Sequence, residues 1–102
     1  MKVYLLVRES YVYWDNEHDV SIKTFKDRQS AINYLTIEKE MLLAEAMHEL
    51  NVTSSEEIRE LYENDEVVYA YENEIDSYYI EIEEWGYDIL SVQEHDIMEF
   101  DM

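Results

Sequence analysis

The last lysine or arginine of this 102-residue chain is Arg59, and the 43 residues after it carry fifteen carboxylates with no compensating cation. Such a segment cannot neutralise itself. It folds only if its apolar residues recur in a pattern that buries one face and leaves the acids to water. Here they do. Val67, Tyr69 and Tyr71 alternate with Val68, Ala70 and Glu72, and Tyr78, Ile80 and Ile82 alternate with Tyr79, Glu81 and Glu83. Period two of this kind predicts two strands, and Asn73-Glu74-Ile75-Asp76 between them reads as the turn of a hairpin. After Gly86, residues 87–92 predict a short fifth strand, and residues 93–102 a short helix or a mobile acidic tail.

The first part of the chain differs in charge. Residues 1–39 balance six basic against six acidic side chains, residues 40–59 carry −4, and residues 60–102 carry −15 of the total of −19. A general aid to solubility would need far less charge, and a salt-adapted chain would be poor in lysine throughout, whereas residues 1–39 are ordinary. Self-repulsion on this scale is costly, and a cationic partner surface offsets it most simply. The neutral N-terminal residues are expected to be scaffold rather than contact surface.

That scaffold also reads clearly. Val3, Leu5 and Val7 alternate with Tyr4, Leu6 and Arg8, so both faces of residues 2–8 are apolar, as in a central strand. Asp15-Asn16-Glu17-His18 reads as a turn. Residues 19–25 then alternate, with Val20, Ile22 and Thr24 on one side, and should pair with the first strand. Asp27 is a good helix N-cap. Ala31, Leu35, Leu42, Ala46 and Leu50 recur at helical spacing and predict a helix over about 28–50, with Asn51 as its stop. Ser54 and Glu57 have capping-box spacing, as do Thr53 and Glu56, and a second helix is expected over about 54–63. The expected fold is a single α+β domain: an antiparallel sheet of four to five strands with two helices on one face, in the order β-β-α-α-β-β-(β).

Composition narrows the function classes. With no cysteine, there is no disulfide, thiolate metal site or cysteine nucleophile. With no proline and one glycine, Gly86, there is no glycine-rich phosphate cradle. The N-terminus lacks a signal-peptide pattern, and no stretch approaches a membrane span, so a cytoplasmic location is expected. Glu45 and His48 have Glu-x-x-His spacing, but a di-iron site needs two such motifs on four helices. His18, His48 and His95 stand alone in sequence. No metal or cofactor is expected. A two-helix sheet of this size rarely encloses the cleft that paired-carboxylate catalysis needs, so the chain is not expected to be an enzyme.

The candidate site is the C-terminal hairpin. Glu81 and Glu83 lie two apart on one strand face, roughly 6–7 Å along the strand, comparable to successive phosphates. Glu72, Glu74 and Asp76 lie across the hairpin, and with Glu84 and Asp88 they are expected to form two near-parallel rows of charge. Interleaved Tyr69, Tyr71, Tyr78, Tyr79 and Trp85 add flat amphipathic contact area on which arginine stacks. Such rows would attract a protein that reads phosphates with Lys and Arg. The second helix adds Glu56, Glu57, Glu60, Glu63, Asp65 and Glu66. The first two suit a helix N-terminus, whereas the last three crowd its negative end.

Two segments carry a family likeness. One is the strand Met1-Lys2-Val3-Tyr4-Leu5-Leu6-Val7 with its Tyr-rich hairpin, followed by Phe25-Lys26-Asp27 and a helix holding Ala31 and Tyr34. The other is Tyr79-Ile80-Glu81-Ile82-Glu83-Glu84-Trp85. About half the chain thus resembles the small acidic α+β proteins of phages and mobile elements, of the anti-CRISPR and anti-restriction type. The resemblance implies an inhibitor that occupies the basic nucleic-acid groove of a defence nuclease and binds no nucleic acid itself. The alternative is a non-catalytic interaction module, in one form a homodimer.

Overall fold

The computed structural model describes residues 1–97 of the chain. Its elements are β1 (Lys2–Val12), β2 (Glu17–Phe25), α1 (Arg28–Leu50), α2 (Ser55–Glu63), β3 (Val68–Asn73), β4 (Ser77–Ile82) and β5 (Gly86–Asp96). The strands form one antiparallel sheet in the order β2-β1-β5-β4-β3. The expected α+β class and element order hold.

The helices begin and end where their caps dictate. Asp27 accepts the Ser30 amide at 2.8 Å, and this bond holds its carboxyl below the usual range. Asn51 closes α1 in the left-handed conformation at φ 56°, and its amide donates to the His48 carbonyl. At α2, Ser54 accepts the Glu57 amide, and the Glu57 carboxylate turns back to accept the Thr53 amide at 2.7 Å. The capping-box pair is therefore formed, shifted by one donor.

Both helices cover the same side of the sheet. Leu6, Val68, Tyr78, Ile80, Ile82 and Leu90 point from the strands into a core that Leu35, Leu42, Ala46 and Ile58 complete from α1 and α2. None of these ten residues exceeds 7% exposure. Burying each large side chain stabilises the fold by roughly 1.5–3 kcal/mol. No described residue of the opposite sheet face is fully buried.

Three expectations change. The first strand runs on to Val12, so the turn tightens to residues 13–16. The fifth strand is long, not short: it spans Gly86–Asp96 and lies in the middle of the sheet, paired with β1 along its full length. Residues 93–96 are therefore strand, and the rest of the expected tail, residues 98–102, lies outside the described residues. The cause is the partner: β1 offers a second unpaired edge of eleven residues, which stabilises a polar strand that its own pattern would not. Gly86 is required where the two meet. It sits at φ 143°, and a Cβ there would lie 1.8 Å from the Tyr11 carbonyl oxygen.

Candidate partner-binding surface

Alternate strand residues face opposite sides, so the register fixes which side chains share the uncovered face. One cross-strand row reads His18, Tyr11, Tyr87, Glu81, and the next reads Val20, Glu9, Ile89, Tyr79, Glu72. A third reads Ile22, Val7, Ser91, Ser77. Among the described strand residues of this face there is no lysine or arginine.

The tyrosines form a connected group. Tyr87 stacks between Tyr11 (5.8 Å between ring centres, 10° between planes) and Tyr79 (6.4 Å, 16°), and Tyr13 leans on the first two. Carboxylates are set into the group as hydrogen-bond acceptors. The Tyr87 hydroxyl donates to Glu9 Oε1 at 3.1 Å, His18 Nε2 lies 2.7 Å from the same oxygen, and the Tyr13 hydroxyl donates to Glu81. A phenol donating to a carboxylate resists losing its proton. That bond pushes Tyr13 up to about 12, while burial together with Glu9 raises Tyr87.

The nine predicted site residues divide. Glu72 and Glu74 stand at the β3–β4 turn, where Glu72 accepts the Ser77 hydroxyl and the Glu74 carbonyl accepts Lys39 Nζ at 2.7 Å. Asp76 is paired with Arg28 at 2.9 Å. Tyr79 and Glu81 lie on the uncovered face. Glu83 and Glu84 are exposed at the other end of the hairpin, roughly 17 Å away along the strand. Glu84 takes φ 62° in the β4–β5 turn, and the Glu83 carboxylate raises the Tyr69 phenol. Trp85 and Asp88 are not on this surface, nor is Tyr78, whose expected contact ring is wholly buried in the core. Trp85 packs against the core under α1, and Asp88 takes a hydrogen bond from Ser10 on the helix side. The expected pair of parallel rows is therefore not formed as a unit, because Asp88 has the wrong strand parity and Asp76 is ion-paired.

A different gathering replaces it. Between α2 and β3 lies an open groove of about 400 Å³, lined by Glu56, Glu63, Glu72 and Glu74 with Tyr62 and Tyr71. Arg59 also lines it and is held by Glu63 at 3.1 Å. The sequence pattern held the acids but not the groove, since nothing local says that α2 lies along β3. Equally, Glu9, Tyr11 and Tyr13 belong to the N-terminal scaffold in sequence, yet share a face with Tyr79 and Glu81. The neutral third therefore supplies part of the face that carries Tyr79 and Glu81.

No group of three or more metal-ligating side chains is gathered among the described residues, and no described helix is long and apolar enough to cross a membrane. Comparison with protein-family models, with curated proteins and with solved structures returns no match to this chain.

Proposed function

We propose that the chain is a non-catalytic, phage-type inhibitor that imitates nucleic-acid backbone charge and blocks the basic groove of a host defence nuclease, such as a CRISPR effector. The observation that carries this reading is the concentration of charge at one edge. Glu56, Glu63, Glu72 and Glu74 surround one groove, and Glu83 and Glu84 extend the negative charge along the same hairpin. Lys2, Lys23 and Arg28 are meanwhile held in ion pairs with Glu94, Glu38 and Asp76. An arginine-rich surface would meet several carboxylates there, with Tyr62, Tyr69 and Tyr71 as stacking platforms. The partner is a basic protein surface in the cytoplasm of the carrier cell, not nucleic acid and not a membrane.

The test is capture from a bacterial lysate at low and high salt. The screening length falls from about 10 Å at 0.1 M to about 3 Å at 1 M, so a basic nuclease should be retained at low salt and released at high salt. Replacing Glu56, Glu63, Glu72 and Glu74 together by Gln should abolish retention with the fold intact. Salt-insensitive capture, or capture unchanged in that variant, contradicts the reading.

One observation favours a second reading, an interaction module without mimicry. Val20 and Ile22 are 56% and 58% exposed on the uncovered face beside the tyrosine group. A purely electrostatic decoy has no need of such a face.

A further inference from the structure

The two edge strands of the sheet are unequal. β3 is six residues long and broken by a register shift between Val68 and Ala70. Shortness and a bulge both discourage another strand from pairing. β2 is nine residues long, pairs with β1 in unbroken register, and contains no proline. All but two of its side chains, Lys23 and Phe25, are exposed. A long, regular edge with exposed apolar residues is a template for strand addition.

The sequence of β2 says which strand fits. A two-fold antiparallel pairing sets one residue opposite itself and keeps side chains on matching faces. With Ser21 on the dyad, Val20 falls opposite Ile22 twice on the uncovered face, and Asp19 falls opposite Lys23 twice on the helix side. His18 meets Thr24, and Glu17 meets Phe25. No like charges meet. Directly opposed apolar pairs and opposite-charge pairs each favour a ladder. Centring instead on Ile22 leaves Asp19 opposite Phe25 and Lys23 opposite Ser21, so both charges lose their partners. Lys23 already contacts Glu38 at 2.9 Å and lies 4.4 Å over the Tyr34 ring, with 42% of its side chain exposed. Its ammonium has three donors, so it can take an Asp19 of a second copy as well.

The electrostatics agree. A chain with net charge −19 resists self-association at most surfaces. Residues 17–28 escape this, with Glu17, Asp19 and Asp27 balanced by Lys23, Lys26 and Arg28. Pairing through β2 puts nine strand spacings between the two copies of β3, roughly 40 Å. That is several screening lengths at physiological salt. Of the two edges, β2 is the one at which the acidic ends stay apart.

We propose that the protein is a homodimer in which β2 of two copies pair antiparallel about Ser21, giving one ten-stranded sheet with a continuous uncovered face and an anionic groove at each end. This surface is distinct from the acidic edge and stands or falls separately from it. Light scattering or sedimentation equilibrium of the full chain should give twice the 12.4 kDa chain mass. Val20→Lys, at a side chain already exposed, should keep the circular dichroism spectrum and return the monomer. Lys23→Asp and Asp19→Lys should each be monomeric alone, because each sets like charges opposite each other. Mixed in equal amounts they should form a heterodimer, because each then supplies what the other lacks. A monomeric wild type overturns the proposal. So does a dimer that survives Val20→Lys, which also decides the matter if Lys23→Asp does not fold. Folded single-charge variants that dimerise as well as wild type, or that fail to pair when mixed, overturn the register.

Discussion

The outer strands β2 and β3 belong to one sheet and follow opposite rules. β2 is long, regular and locally neutral. β3 is short and bulged, and it is packed beside a helix carrying four glutamates in nine residues. The charge of this chain is therefore sorted by topology rather than diluted over its surface. Had β5 paired outside β3, the acidic strands would have formed a block of their own. Instead β5 crosses to the middle and joins β1 to β4, so the neutral and acidic halves share one core and keep separate edges.

The two halves are joined at that seam. Gly86→Ala should have the largest effect, since its methyl would meet the Tyr11 carbonyl where β5 starts against β1. A loss at or beyond the exceptional range of about 4–5 kcal/mol is expected in denaturant unfolding, and a variant as stable as wild type would mean the two halves are not joined there. Next is Leu90→Ala. Leu90 is wholly buried in β5 beneath α1, and a cavity there should cost about 2–5 kcal/mol. The loss should appear in one cooperative transition, whereas two separated transitions would show halves that fold independently.

The tyrosine face joins the two halves through contacts that respond to pH. The Tyr13 phenol, tied to Glu81, keeps its proton to about 12, whereas a free phenol loses it near 10. Folding therefore gains from the protonated phenol fully below pH 10, and the gain fades as pH rises through 12. Tyr69, Tyr79 and Tyr87 are raised in the same direction. Stability should fall across that alkaline window, and phenolate absorbance should rise late. Glu81→Gln should bring the Tyr13 step to lower pH, and an unchanged titration would deny the contact. The smallest effect belongs to Tyr78→Phe. The Tyr78 hydroxyl is buried with no hydrogen-bond partner among the described residues. Removing it should leave stability unchanged or raise it by about 1 kcal/mol, read as an equal or higher melting temperature.

What the sequence discloses follows from how local each signal is. The first helix was legible because Asp27 and Asn51 mark its ends and Ala31, Leu35 and Leu42 mark its face within a few turns. The β3–β4 hairpin was legible because its turn lies between its two alternating runs. The β1–β5 pairing was not, since Tyr11 meets Tyr87 across most of the chain and neither residue announces the other. The candidate site inherited that limit. Glu72, Glu74, Glu83 and Glu84 were found by their charge, whereas Glu9, Tyr11 and Tyr13 are joined to Tyr79 and Glu81 only by register. Asp88 and Trp85 were misplaced for the related reason that the face of a strand cannot be assigned until its neighbours are known.

On the proposed reading the place of the charge, and not its amount, makes the acidic edge bind a basic partner. Two variants of equal net charge separate the two. In one, Glu56, Glu63, Glu72 and Glu74 at the groove become Gln. In the other, Asp15, Glu17, Glu40 and Glu49, all exposed away from it, become the corresponding amides. Capture of the basic partner at low salt is then compared. Capture should be lost in the groove variant and retained in the other, whereas equal losses in both would show that bulk charge alone governs binding.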